Sequence, residues 1–176
     1  MYKIVLLLGW LTFLAGSVFS QMYSGPNQAT FSSTGSAQTS SFDSPAMTGR
    51  YMAESQSLVL MAKTGAIPLG ASQADQDMFQ EVFLPPTNPL LTISIDLSSL
   101  SSGQQTVSLP AQIMWNDQVS EQTVSLTIDM GAENIQFDLE AELALDSFQI
   151  IIPTKYADRF SNECSLVISG ATLHRR

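Results

Sequence analysis

The stretch NIQFDLEAELALD, Asn134 to Asp146, decides the fold of this chain. Ile135, Phe137, Leu139, Ala141, Leu143 and Leu145 occupy its odd positions and are all apolar. Its even positions are polar apart from Ala144. Glu, Ala and Leu are good helix formers. On a helix, however, Ile135, Leu139 and Leu143 would lie opposite Phe137, Ala141 and Leu145, leaving two apolar faces with carboxylates between them. Strict alternation is what a strand with one wet and one buried face requires. The stretch therefore reads as a strand over Asn134 to Asp146, within a sheet that buries one side.

Outward from it, the same alternation recurs. Leu91, Ile93, Ile95 and Leu97 share one face of Leu90 to Leu97, bounded by a turn over Ser98 to Gly103. Val107, Leu109, Ala111, Ile113 and Trp115 share one face of Gln105 to Trp115, where Pro110 marks an edge position or a bulge. A hairpin loop at Asn116 to Ser120 leads to Val124, Leu126, Ile128 and Met130, and Met130-Gly131-Ala132 turns into the opening stretch. Downstream, Phe148 to Ile152 reads as a short strand ended by Pro153, Tyr156 to Asn162 as a polar loop, and Cys164 to Leu173 as a last strand. Upstream, Met52 to Lys63 ends in the buried-type strand SLVLMAK. Met22 to Arg50 is rich in Ser, Thr, Gly and Gln; Ala29 to Phe31 and Ser36 to Phe42 are its weak strand candidates, and its low hydrophobicity leaves a partly disordered leader open over residues 21–50.

One segment breaks the β pattern. Ser72 caps a short helix over Ala71 to Phe83, with Asp75 and Asp77 in its first turn, where the helix dipole favours negative charge. Met78, Phe79, Val82 and Phe83 form its apolar stripe, and Pro85, Pro86 and Pro89 stop it. A helix this short needs something to pack on, which is the sheet.

The N-terminus reads as an export signal over residues 1–20. Lys3 precedes the apolar run Ile4 to Leu14, and Val18-Phe19-Ser20 offers a cleavage window before Gln21. The run is too short to cross a bilayer as a helix, so no stable membrane anchor is expected. Residues 21–176 then form a single domain that is periplasmic or secreted, long enough for one core. Loss of Lys3 would take the net charge from −9 to −10. So acidic a surface argues against nucleic acid as a partner. Cys164, the only cysteine, excludes an intramolecular disulfide and reads as a buried, inert thiol.

Seven or eight short strands and one helix leave an antiparallel barrel and a β-sandwich both open. The order of motifs resembles the YceI-like family. The resemblance is carried by Asp75 to Phe79 with Val82-Phe83 and Asn88-Pro89, by LPAQIMWNDQVSEQTVSLTI from Leu109 to Ile128, by FDLEAELALDSFQIIIP from Phe137 to Pro153, and by DRFSNECSLVISGATL from Asp158 to Leu173. It covers residues 75–173, and Met22 to Arg50 departs from the family's aromatic strand and glycine-containing hairpin. The resemblance implies an exported, lipocalin-like, eight-stranded antiparallel barrel that binds a polyisoprenoid lipid without catalysing a reaction.

The residues themselves give catalysis little to work with. His174, the only histidine, lies in the C-terminal tail, and Asp138, Glu140 and Glu142 point away from the apolar face. One Cys and one His at opposite ends of a strand make no metal site, and no cofactor is expected. The residues expected to line a ligand cavity are Ile113, Trp115, Leu126, Ile128, Phe137, Leu139 and Leu143, with Phe79 and Phe83 of the helix as a lid. Met61, Met114 and Met130 would add adaptable surface if they face inward. The same residues would equally make a filled core. The competing reading is a structural or protein-interaction module, barrel or sandwich, in which an exposed edge strand could also pair two chains into a homodimer.

Overall fold

The computed structural model describes residues 21–64, 72–83 and 90–176, the side chains of residues 44–46 and 75 apart. The export signal expected over residues 1–20 lies outside these residues, as do Pro85, Pro86 and Pro89. The chain forms a closed antiparallel barrel of eight strands, each hydrogen-bonded to its neighbours in sequence order. They are β1 (Met22–Thr34), β2 (Thr39–Met52), β3 (Ser57–Lys63), β4 (Leu90–Asp96), β5 (Gly103–Trp115), β6 (Gln118–Met130), β7 (Asn134–Ala144) and β8 (Glu163–Arg175), with helix α1 (Gln73–Phe83) between β3 and β4. This is the barrel alternative, and the sandwich is excluded.

β7 alternates without a break from Asn134 to Leu143, with Ile135, Phe137, Leu139, Ala141 and Leu143 buried and the residues between them exposed. It ends earlier than its pattern suggests. Leu145–Phe148 winds into a 3₁₀ turn that keeps Leu145 and Phe148 buried, and Gln149 then takes a left-handed conformation with φ 56°. The apolar run Phe148 to Ile152 is therefore not a strand. Ile150 is buried, whereas Ile151 is 83% exposed.

The polar N-terminal segment is not a disordered leader. β1 and β2 pair from Met22↔Met52 to Thr34↔Thr39, and β1 also pairs with β8 to close the barrel. The alternation there is carried by Tyr23, Ala29, Phe31 and Ser33 on β1, and by Ser40, Phe42, Met47 and Tyr51 on β2. Gly25 sits at the closing seam, where a Cβ would run into the Thr172 backbone carbonyl. A bulge in β8 beside Phe137 and Leu139 is held by the Gly170 N–H, which donates to Asp138 Oδ1 at 2.7 Å.

The β5–β6 connection is a two-residue turn, Asn116-Asp117, with φ 51° and 59°, the type I′ geometry that suits hairpin twist. Pro110 stands one residue past Ala111, the last partner of β4, and so at a local edge. Closure gives every strand two neighbours and leaves only local stretches of edge, such as this one.

Ser72 stands immediately before α1, and its carbonyl accepts the Gln76 N–H at 2.9 Å, the first turn of the helix. Met78, Phe79, Val82 and Phe83 are buried on one stripe, which closes one end of the barrel.

Candidate functional site

The barrel interior is the candidate site, and its composition follows from the strand period. Every second side chain points inward, and among the described residues no Asp, Glu, Lys or Arg is buried at an inward strand position; Arg175, paired with Tyr23 at the last position of β8, is exposed at the rim. All nine residues expected to line a cavity are inside, none more than 3% exposed. They fall into two groups. At the waist, Leu126 pairs with Leu139 and Ile128 with Phe137 across β6 and β7, while Ile113 and Leu143 are buried on β5 and β7.

Phe79, Phe83 and Trp115 meet at the end covered by α1. The Phe83 ring lies nearly parallel to the Trp115 indole, centroids 5.7 Å apart at 4°. Phe79 is 5.0 Å from Phe83. Four aromatics that sequence patterning did not assign to the site complete the cluster. Phe31 lies 6.2 Å from Trp115, and Phe148 5.9 Å from it. Phe42 lies 5.2 Å from Phe79, and Phe160 meets Phe83 edge-on at 5.5 Å. Phe31 and Phe42 were legible only as weak strand candidates, and Phe148 and Phe160 sit in turns that carry no periodicity.

The methionine expectation fails in part. Met61 and Met114 are on the outer face, Met114 at 38% exposure, and Met130 is partly buried near the opposite mouth. Met47 and Met78 are the methionines fully inside. The polar Ser and Thr partners at those outer positions alternate with inward Leu and Ile, so strand phase alone sends Met61 and Met114 outward.

Polar atoms inside the barrel are few, and three find no hydrogen-bond partner: Trp115 Nε1, Ser40 Oγ and Gln122 Oε1. Trp115 and Ser40 are at least nine-tenths buried. All three stand in the halves of β5, β2 and β6 nearest α1. Ser33, opposite Ser40, is satisfied by donating to the Glu163 carbonyl at 2.8 Å.

α1 is tied to the loop before β8. Lys155 Nζ lies 2.6 Å from Glu81 Oε2, and the Tyr156 hydroxyl donates to the same oxygen at 2.9 Å. The Lys155 ammonium and that hydroxyl hold the Glu81 carboxyl below its ordinary range. The loop is itself seated on the β1–β2 turn, where the Ala37 and Gln38 N–H groups donate to the Asp158 carbonyl.

The opposite mouth is framed by Tyr23 and Tyr51, ring centroids 5.8 Å apart, over a depression of about 260 Å³ that Ala53, Leu100, Met130 and Ile135 also line. The Tyr23 hydroxyl donates to the Ala132 carbonyl at 3.0 Å. Burial, reinforced by Tyr23, pushes the Tyr51 hydroxyl above its usual pKa. Three other hollows bounded by described residues lie on the outer wall, one of about 330 Å³ beside the β8 bulge, one of about 310 Å³ beside Pro110 and one of about 670 Å³ along the β1–β8 seam at Pro26 and Thr172.

Glu140 and Glu142 are exposed on the outer face, and Asp138 serves the bulge. Cys164 is fully buried, and burial pushes its thiol up to about 12, which removes it as a nucleophile at neutral pH. No group of three or more metal-ligating side chains comes together among the described residues, and no helix among them is long and apolar enough to cross a membrane.

No family model and no curated protein matches the chain in sequence. In structure it is similar to a polyisoprenoid binding domain from Saccharophagus degradans implicated in plant cell wall breakdown. That likeness has a TM-score of 0.69 at 12% identity, over 88% of this chain and 97% of the other. It is also similar to BcnA of Burkholderia cenocepacia, with a TM-score of 0.62 at 13% identity, over 84% of this chain and 94% of the other. At these identities the likeness is one of fold: a closed, eight-stranded, lipocalin-like antiparallel barrel.

Proposed function

We propose that this protein is a non-enzymatic, exported carrier that holds an apolar, isoprenoid-like lipid inside its barrel. Phe79, Phe83, Ile113, Trp115, Leu126, Ile128, Phe137, Leu139 and Leu143 form the lining, and α1 is the lid. The observation that carries this reading is a closed interior with apolar walls and no buried charge among the described strand residues. Such walls bind by burying apolar area, at roughly 25 cal/mol per Å² removed from water, and need no charged contact. The binding property of the Saccharophagus degradans neighbour supports the lipid class. Export rests on Lys3 and the apolar run Ile4 to Leu14.

A second reading, an interaction module with a filled core, draws on the position of the hollows bounded by described residues, at one mouth and on the outer wall. Native mass spectrometry followed by organic extraction separates the two. A carrier shows a co-purifying apolar molecule, or takes up added prenyl lipid. A clean apo mass with no uptake leaves the interaction module standing.

A further inference from the structure

We infer that the α1-covered end of the barrel receives the oxygen-bearing end of the ligand, with the Trp115 indole N–H donating to an uncharged acceptor oxygen. This rests on the carrier reading and specifies which end of the lipid goes where. Buried polar groups are almost always paired, because a donor without a partner keeps its full desolvation cost. Trp115 is fully buried, its Nε1 has no partner, and Phe31, Phe83 and Phe148 pack around its ring. A ligand oxygen brought to this end removes a cost that a hydrocarbon cannot.

Ser40 Oγ is a second buried atom without a partner at the same end, and Gln122 Oε1 is a third. Together they offer one N–H donor, one hydroxyl able to donate or accept, and one carbonyl acceptor. That set suits a neutral hydroxyl or carbonyl. It does not suit a phosphate or carboxylate, since burying a charge without a counter-charge is expensive. At this end no basic residue occupies an inward strand position among the described residues, Arg175 lying at the other mouth, and Arg159, beside Phe160 on the covering loop, already has an interaction of its own. The Tyr23–Tyr51 mouth makes no such demand on a ligand, because the Tyr23 hydroxyl is already bonded.

The test uses the delipidated full chain and three sesquiterpenoid probes of equal chain length: farnesol, farnesyl phosphate and farnesene. Farnesol should bind several-fold to about ten-fold more tightly than farnesene, the scale of one neutral hydrogen bond, with farnesyl phosphate weaker than farnesol. Trp115→Phe should collapse the farnesol-to-farnesene ratio toward unity, and Ser40→Ala should lower it. In the Trp10→Phe full chain, Trp115 is the only indole. There, ultraviolet resonance Raman should report a newly hydrogen-bonded indole N–H with farnesol and none with farnesene. Equal binding of farnesol and farnesene, a preference for the phosphate, or an unmoved N–H band overturns the inference while leaving the carrier intact. If none of the three binds, the carrier reading falls and takes this one with it.

Discussion

Phe83→Ala is the most direct test of how α1 is held. The ring is 1% exposed and touches Trp115 face to face, Phe79 and Phe31 at a tilt, and Phe160 edge-on. Truncating a buried Phe to Ala costs about 3–5 kcal/mol, the sum of lost transfer energy and the cavity left behind. The upper half of that range applies here, because Phe31 and Trp115 belong to paired strands and cannot move in to fill the space. For a domain of this size, about 2–4 °C of melting temperature goes with each kcal/mol, so the midpoint should fall by roughly 8–20 °C. Calorimetry reads the midpoint, and near-ultraviolet circular dichroism reads the Trp115 environment. Phe83→Leu, which nearly conserves volume, should cost under about 1.5 kcal/mol. A Phe83→Ala midpoint within about 3 °C of wild type would refute the docking of α1 by this cluster. So would a Phe83→Leu variant as damaged as Phe83→Ala.

The other outcomes concern the outer face, the buried thiol and the helix tie. Glu140→Gln with Glu142→Gln should leave stability within about 0.5 kcal/mol and lipid retention unchanged. Asp138→Ala should cost on the order of 1 kcal/mol, because it strips the Gly170 N–H of its acceptor. The Cys164 thiol rises from its ordinary 9.0 to about 12, so the folded state favours the neutral form. Its contribution to stability is complete below pH 9 and is lost as pH climbs from 9 toward 12, by up to about 1.4 kcal/mol per pH unit. Denaturant midpoints should therefore be level through neutrality and fall above pH 9, Cys164→Ala should flatten the fall, and thiol reagents at pH 8 should label only the unfolded chain. Glu81 is shifted the other way, so its tie to Lys155 and Tyr156 holds above the ordinary carboxylate value of 4.5 and is lost as pH drops through the lower folded value. Hydrogen-exchange protection of α1 should decline there, and Glu81→Gln should remove that pH dependence.

Much of the barrel was readable because six of its strands announce their phase with large apolar residues. β7, β5 and β6 alternate Leu, Ile, Phe and Trp against polar residues, and this points Ile113, Trp115, Leu126, Ile128, Phe137, Leu139 and Leu143 inward. β1 and β2 hid the same alternation because many of their outward positions and several inward ones are Ser, Thr or Gly. What makes them strands is pairing on both sides, with β8 and with β3, and a one-dimensional pattern does not carry that. Phe148 to Ile152 misled for the opposite reason. Five consecutive residues, four of them apolar, look like a strand, yet the left-handed Gln149 turns the chain so that Phe148 and Ile150 go in and Ile151 goes out. The α1 aromatics Phe79 and Phe83 were visible from helical spacing, but Phe160, which meets Phe83, and Phe148, which meets Trp115, are brought to the cluster only by the folded loops.

The seam between β1 and β8 also bears on how the protein acquires its shape. Ser24 and Arg176, 152 residues apart, meet there through a side-chain hydrogen bond, and Tyr23 pairs with Arg175. A chain made from its N-terminus has seven strands in hand before the eighth is available. Until then β1 and β7 each carry an unpaired edge, and contacts across so long a separation form slowly. Completion of the barrel thus waits for its last strand, Glu163–Arg175, thirteen residues long. Removing that strand would leave an open, self-associating sheet in place of a slightly smaller barrel.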